Sequence, residues 1–177
     1  MTYQKILLTL FCLIVSACSS SNKDTVVTAE SLKNTTETSL QNRGLIPLSG
    51  GEITQLIINK TVTGEYVSTP AIPLWNYRSY WMEFYNKDGS TIYRYCDTAS
   101  VGNKWGCSKK LTGQWKIFDN KLCLKYRNSK HFTHCFRAYY DNENYMIVAT
   151  MGETAGYVRG IATKATEGFI EEAPFNN

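Results

Sequence analysis

The chain has 177 residues, 43% of them hydrophobic, and 19 Lys and Arg stand against 15 Asp and Glu for a net charge of +4. That length allows one domain with a substantial core and is too short for two comfortable ones. The basic residues are scattered, with Lys109-Lys110 the longest run, so no stripe exists to neutralise many phosphates and nucleic acid is not an expected partner.

The chain opens with a short positive segment ending at Lys5, then runs apolar from Ile6 to Val15, interrupted by Thr9 and Cys12. This is the layout of an export signal. About ten apolar residues are half of what a membrane-spanning helix needs. Val15-Ser16-Ala17-Cys18 resembles the lipobox of bacterial lipoprotein precursors, in which the Cys sulfur receives diacylglycerol before the signal is removed. That resemblance implies a lipoprotein held to the membrane by acyl chains such as palmitate on Cys18. An ordinary cleavage site followed by an incidental thiol is the competing reading. In enterobacterial lipoproteins an Asp after the lipidated Cys retains the protein in the inner membrane; Ser19 stands here, which implies the outer membrane with the domain in the periplasm. The expected division is residues 1–17 as signal, 18–44 as a lipidated, disordered tether, 45–170 as a folded domain and 171–177 as a tail. The tether follows from its composition: it is polar and almost free of aromatics, so it offers little apolar surface to offset ordering entropy.

Order is expected from Leu45-Ile46-Pro47. Ser49 and Glu52 fit a capping box, with Ile53, Leu56 and Ile57 on one face of a short helix that Asn59-Lys60 ends. Beyond it, strand-length segments alternate with turn signals as far as Thr163. Asp88-Gly89 reads as a two-residue hairpin turn that sets Phe84 opposite Tyr93 and Met82 opposite Tyr95. Asp119-Asn120 sets Ile117 opposite Leu122 and Trp115 opposite Leu124. A turn centred on Ser129 sets Leu122 opposite Phe136, Tyr126 opposite Phe132 and Cys123 opposite Cys135. Asp141 to Asn144 brings Ala138 opposite Ile147 and Tyr140 opposite Tyr145. About eight strands joined by short turns favour an antiparallel meander closed into a small barrel or strongly bent sheet, plugged at one end by the helix.

With Cys12 in the signal and Cys18 lipidated, four cysteines remain, an even number that reads as disulfides in an exported chain. Directly opposed strand residues lie within disulfide reach, so Cys123 is expected to pair with Cys135 and, by elimination, Cys96 with Cys107. Metal binding is the alternative, but no pair has the C-x-x-C spacing.

Leu48-Ser49-Gly50-Gly51-Glu52-Ile53 and Asn59-Lys60-Thr61-Val62-Thr63-Gly64 resemble the opening of small exported bacterial proteins grouped as domain-of-unknown-function family 995. Gly113-Gln114-Trp115, Leu122-Cys123-Leu124 and Cys135-Phe136 are similar to that family's closing section. The resemblance spans roughly residues 45 to 160 and supports the fold and the paired cysteines of the late hairpin. It brings no catalytic residues.

Chemistry is thinly marked. The two histidines, His131 and His134, are three apart and on a strand would face opposite sides, so a metal pair is not expected; His134 reads as an inward, hydrogen-bonded structural residue beside Leu124. Glu65, Glu83, Asp88 and Asp97 are the acids available for a glycosidase-type pair, and Asp88 is already explained by its turn. In the aromatic strand, Tyr80, Met82 and Phe84 share one face, expected to be core, and Trp81, Glu83 and Tyr85 the other. Trp81 and Tyr85 are then a candidate partner surface, unless a neighbouring segment covers them. Tyr80, Tyr93, Tyr95, Trp115, Tyr126, Phe132, Phe136 and Tyr140 are bulky enough to fill a small barrel. The functional expectation is a non-enzymatic envelope lipoprotein, without cofactor or metal, that meets its membrane through lipid and presents a surface or pocket to an envelope protein, a glycan or a small apolar ligand; the bulk of these aromatics argues for a surface rather than a cavity. An inhibitor of a periplasmic or extracellular hydrolase, acting through the Cys96 to Cys107 loop, is the alternative; a hydrolase ranks third.

Overall fold

The computed structural model describes residues 27–73, 79–101, 104–126 and 130–171. Cys18, the end of the proline-containing loop from residue 74 and the turn centred on Ser129 lie outside them. Two helices, α1 (Glu37–Asn42) and α2 (Gly50–Ile57), precede nine strands: β1 (Lys60–Tyr66), β2 (Ser79–Tyr85), β3 (Ser90–Val101), β4 (Lys104–Cys107), β5 (Leu111–Phe118), β6 (Lys121–Tyr126), β7 (His134–Tyr140), β8 (Tyr145–Ala149) and β9 (Val158–Glu167). The neighbour order β2-β1-β9-β8-β7-β6-β5-β3, with β2 also paired to β3, closes eight antiparallel strands into a barrel. Short β4 folds back on the far half of β3. Closure removes the free edges that an open sheet would leave.

Three of the expected registers hold. Asp119 and Asn120 both take positive φ, 50° and 53°, the conformation a two-residue hairpin loop requires, and Ile117 faces Leu122 and Trp115 faces Leu124. Leu122 faces Phe136 and Cys123 faces Cys135. Ala138 faces Ile147 and Tyr140 faces Tyr145. Both disulfides, Cys96–Cys107 and Cys123–Cys135, are formed. The second closes a loop of sequence separation 12, for which chain entropy gives a stabilisation of about 3 kcal/mol. Replacing both Cys123 and Cys135 by Ala should cost that order of stability in a denaturant titration with an unchanged β-sheet circular dichroism spectrum. A cost near zero would show that native strain or residual structure cancels the entropy.

The β2–β3 hairpin departs from expectation. Asn86 N–H donates to Ser90 O at 2.9 Å and Gly89 N–H to Asn86 O at 3.0 Å, so the loop is three residues, Lys87-Asp88-Gly89, with Gly89 at φ +85°. A positive-φ Gly at the third position is the usual way such a loop rejoins its strand. One extra residue shifts the partners to Phe84 with Ile92, Met82 with Arg94 and Glu83 with Tyr93. A one-residue shift turns every side chain to the other face. Trp81, Glu83 and Tyr85 therefore point into the barrel.

Two apolar clusters result. Inside, Ile53 and Ile57 of α2 pack over Val62, Trp81, Tyr85, Leu122 and Leu124. The helix is placed by its capping box, Ser49 with Glu52, and by Gly50 N–H donating to Asn120 Oδ1 at 2.9 Å, so it covers the barrel end that carries the β5–β6 turn. The second cluster is outside the barrel: Val67, Tyr139, Met146, Val148, Val158 and Ile161 pack against Ala29, Leu32 and Leu40.

That second cluster corrects the expected disordered tether over residues 27–44, its residues 18–26 lying outside the described ones. From Val27 the chain lies against the wall of β7, β8 and β9. Asn34 N–H donates to Ser68 O and Val158 N–H to Thr35 O; Thr36 caps α1; Glu37 accepts from Arg137 at 2.9 Å and from Tyr139 at 2.6 Å. Burial disfavours the charged Glu37 carboxylate, but those hydrogen bonds outweigh it and hold its pKa below the ordinary value.

Candidate functional site

The barrel interior is not filled. A cavity of about 510 Å³ runs from α2 toward the opposite end, within the roughly 300–1000 Å³ of typical small-molecule sites. Its wall is mostly apolar, with Leu56, Val62, Leu124, Phe136, Ile147 and Ala162 among the lining residues. The aromatics expected to fill the barrel do not all reach inward: the register of β2 and β3 and the small residues Gly64, Gly160 and Ala162 leave room. The Trp81 indole lies across the first two, and a Cβ at Gly64 would stand 2.6 Å from its ring.

Trp81 and Tyr85 are thus not a partner surface. They are 8% and 3% exposed, and both line the cavity. The reversal has the same cause as the hairpin shift described above.

Glu83, between them, is the most unusual residue of the interior. It is 3% exposed, and its carboxyl accepts from Tyr85 Oη at 2.9 Å, Thr91 Oγ1 at 2.8 Å and Tyr126 Oη at 2.7 Å. Burial raises its pKa, with the three hydroxyl hydrogen bonds opposing. Burial also pushes Tyr126 far up, aided by the nearby Glu83 charge. Toward the open end, Tyr66 and Tyr93 share a hydroxyl hydrogen bond of 2.8 Å, and burial pushes Tyr93 up to about 12. Arg159 completes the polar line, its guanidinium carbon 5.5 Å from the centroid of the Tyr66 ring.

The other expected site residues do not assemble. Glu65 pairs in register with Tyr80, on the outward parity of β1, whereas Glu83 is inward, so no carboxylate pair faces the cavity there. Asp88 serves its turn, accepting from Ser90 N–H at 2.8 Å. His134 does face Leu124 and stacks near Phe136 at 6.5 Å between ring centroids. It sits at the mouth, open to solvent, and no hydrogen bond holds its ring among the described residues, contrary to the expected structural role. Partial burial lowers its pKa. No group of three or more His, Cys, Asp and Glu is arranged to hold a metal among the described residues.

Glu83 and Arg159 were the residues that sequence reasoning passed over as parts of one site. The polar-in-apolar spacing of Trp81-Glu83-Tyr85 carried a signal for Glu83 once its face was known. Nothing local marked Arg159, whose position depends on an irregularity in β9. Compared with family models, curated proteins and solved structures, the chain matches none.

Proposed function

We propose that this chain is an exported lipoprotein, anchored through Cys18 on the periplasmic side of the outer membrane, whose barrel binds a small, mainly apolar molecule without transforming it. The observation that carries the binding role is the apolar cavity of about 510 Å³ inside a closed barrel. Two disulfides suit an oxidising compartment, and the Val15-Ser16-Ala17-Cys18 motif supports the anchor. A non-enzymatic reading is favoured because Glu83, the deeply buried carboxyl among the described residues, accepts from three hydroxyls instead of being paired with a base or a second acid. With Trp81 and Tyr85 inside, a small ligand replaces the envelope protein or glycan as the preferred partner.

The test uses residues 19–177, which retain every described contact, and the neutral fluorophore N-phenylnaphthylamine. Saturable binding to a single site is expected, and Ala162→Phe, which places a ring in the cavity, should weaken it roughly tenfold or more, about 1.4 kcal/mol, with the β-sheet spectrum retained. Absence of saturable binding by the folded wild-type chain would remove the cavity reading. The anchor is tested separately: labelled palmitate should enter the wild-type protein in cells and not the Cys18→Ser variant.

A further inference from the structure

We infer that the ligand is an amphiphile with a single anionic head, its tail in the barrel and its head on Arg159 at the mouth; this rests on the binding role proposed above and names the ligand class. The argument begins with the backbone. In the β8–β9 pairing Ile147 faces Gly160 and Val148 faces Val158, so Arg159 is the extra residue of a β-bulge. Bulges re-aim a side chain that regular alternation would send elsewhere. Gly160 belongs to the inward set, opposite Tyr66, and Val158 packs in the outer cluster, so the bulge is where β9 changes face. Arg159 uses it to lay its guanidinium over the inward ring of Tyr66 and to line the cavity.

Among the described residues the guanidinium is held by a carbonyl and neutralised by no carboxylate. Its Nη1 donates to Val67 O at 3.0 Å, and Val67 N–H donates to Arg159 O at 2.9 Å, which fixes the bulge on both sides. Guanidinium carries five N–H donors, and among the described residues one of them meets a protein acceptor. Among the described residues no carboxylate forms an ion pair with it, although five ion pairs form elsewhere. Burial works against its charged form and lowers its pKa, the mark of a cation that gains from a partner. The mouth also carries the exposed Glu153, which makes no ion pair with it.

Anion recognition by Arg is strong because two N–H groups can meet two oxygens at once. Glu83 is engaged by three hydroxyl donors and lies farther in, beyond Tyr66 and Tyr93, away from the mouth where Arg159 stands. The head group is therefore placed at the rim while the apolar wall of Val62, Leu124 and Ile147 receives the tail. The same chemistry serves a free fatty acid or the anionic end of a larger lipid.

Competition against N-phenylnaphthylamine by dodecanoate and dodecanol, matched in length, separates the alternatives on residues 19–177. The carboxylate should bind about tenfold or more tightly than the alcohol. Arg159→Gln should narrow the ratio of carboxylate to alcohol affinity to within about twofold, whatever the absolute affinities become, and Arg159→Lys should restore part of it. Equal affinities for the two in the wild-type chain, or tighter binding of the alcohol, would overturn the anionic head and leave the cavity standing. Failure of both to displace a bound fluorophore would overturn the amphiphile, and failure of the fluorophore itself would overturn the cavity. The wild-type comparison needs no variant, so misfolding of Arg159→Gln would not protect the inference. A lysophospholipid bearing a phosphate head, run as a third competitor, distinguishes a free acid from a larger lipid by which of the two displaces at lower concentration.

Discussion

A chain that begins at residue 45 is expected to lose cooperative folding, while one that begins at residue 27 keeps it. The shorter chain still contains every strand of the barrel, so the loss would come from the outer wall. Leu32 and Leu40 are 2% and 0% exposed, and full burial of each contributes about 1.5–3 kcal/mol. Their removal also uncovers Val67, Tyr139, Met146, Val148, Val158 and Ile161, which they cover in the outer cluster. Added together these approach the roughly 5–15 kcal/mol that is the whole stability of a typical domain. Thermal unfolding followed by near-ultraviolet circular dichroism should show a sharp transition for 27–177 and a broad or absent one for 45–177. Equal transitions would mean that the segment merely rests on a self-sufficient barrel. Acid should loosen the same contact: Glu37 has a folded pKa below its ordinary value, so its stabilisation is complete above the unfolded pKa and is lost as pH falls through the folded one.

The second large effect concerns Glu83, where two substitutions should diverge. Glu83→Leu leaves the Tyr85 and Tyr126 hydroxyls without their acceptor inside the barrel, while Thr91 can fall back on Phe84 O, to which it already lies at 2.8 Å. Two buried, unsatisfied hydroxyls cost about 1–3 kcal/mol each, so a loss on the order of 2–6 kcal/mol is expected. Glu83→Gln keeps a carbonyl acceptor for Tyr126 and Thr91 and offers its amide to Tyr85. Its sign depends on pH. The folded pKa of Glu83 is raised by burial, so the native protein binds the proton more tightly than the unfolded chain does. Glu83 therefore supports folding fully below its unfolded pKa and loses that support as pH rises through the folded value. Gln, which does not titrate, should be nearly neutral in effect at pH 4 and stabilising at pH 8. Chemical denaturation at the two pH values measures it, and a Gln variant weaker at pH 8 than at pH 4, relative to wild type, would show that the hydroxyl cage favours the carboxylate after all.

Local chemistry made much of the barrel legible. The Asp119-Asn120 turn, the Cys123 and Cys135 pair and the Asp141 to Asn144 loop each tie a register to a turn or a covalent constraint, and the strands obey them. The Asp88-Gly89 turn failed because the dipeptide suits both a two-residue loop and the end of a three-residue loop. Only the backbone of Lys87 separates the two, and the choice decides which face of β2 is inside. The outer segment was hidden for another reason: Val27, Ala29, Leu32 and Leu40 are spread through polar sequence, and their burial depends on an apolar outer wall that strand alternation alone does not announce. The cavity was illegible from side-chain bulk, since the sum of large residues says nothing of how many lean inward over Gly64 and Gly160. Arg159 joined the site through a bulge, and a bulge breaks the periodicity on which a sequence reading rests.

The route of the N-terminal segment bears on how the barrel is presented. Asn34 meets Ser68 and Thr35 meets Val158, residues at the end where Tyr66 and Arg159 stand, and only afterwards does the chain descend past α1 to Leu48, which donates to Ala138 O, and to the plugging helix. If Cys18 carries lipid as proposed, eight residues lie between it and Val27, a reach of at most about 30 Å. The barrel would then hang by its rim, with the plugged base turned away and the open end beside the bilayer, where an amphiphile could pass between leaflet and protein without crossing open water.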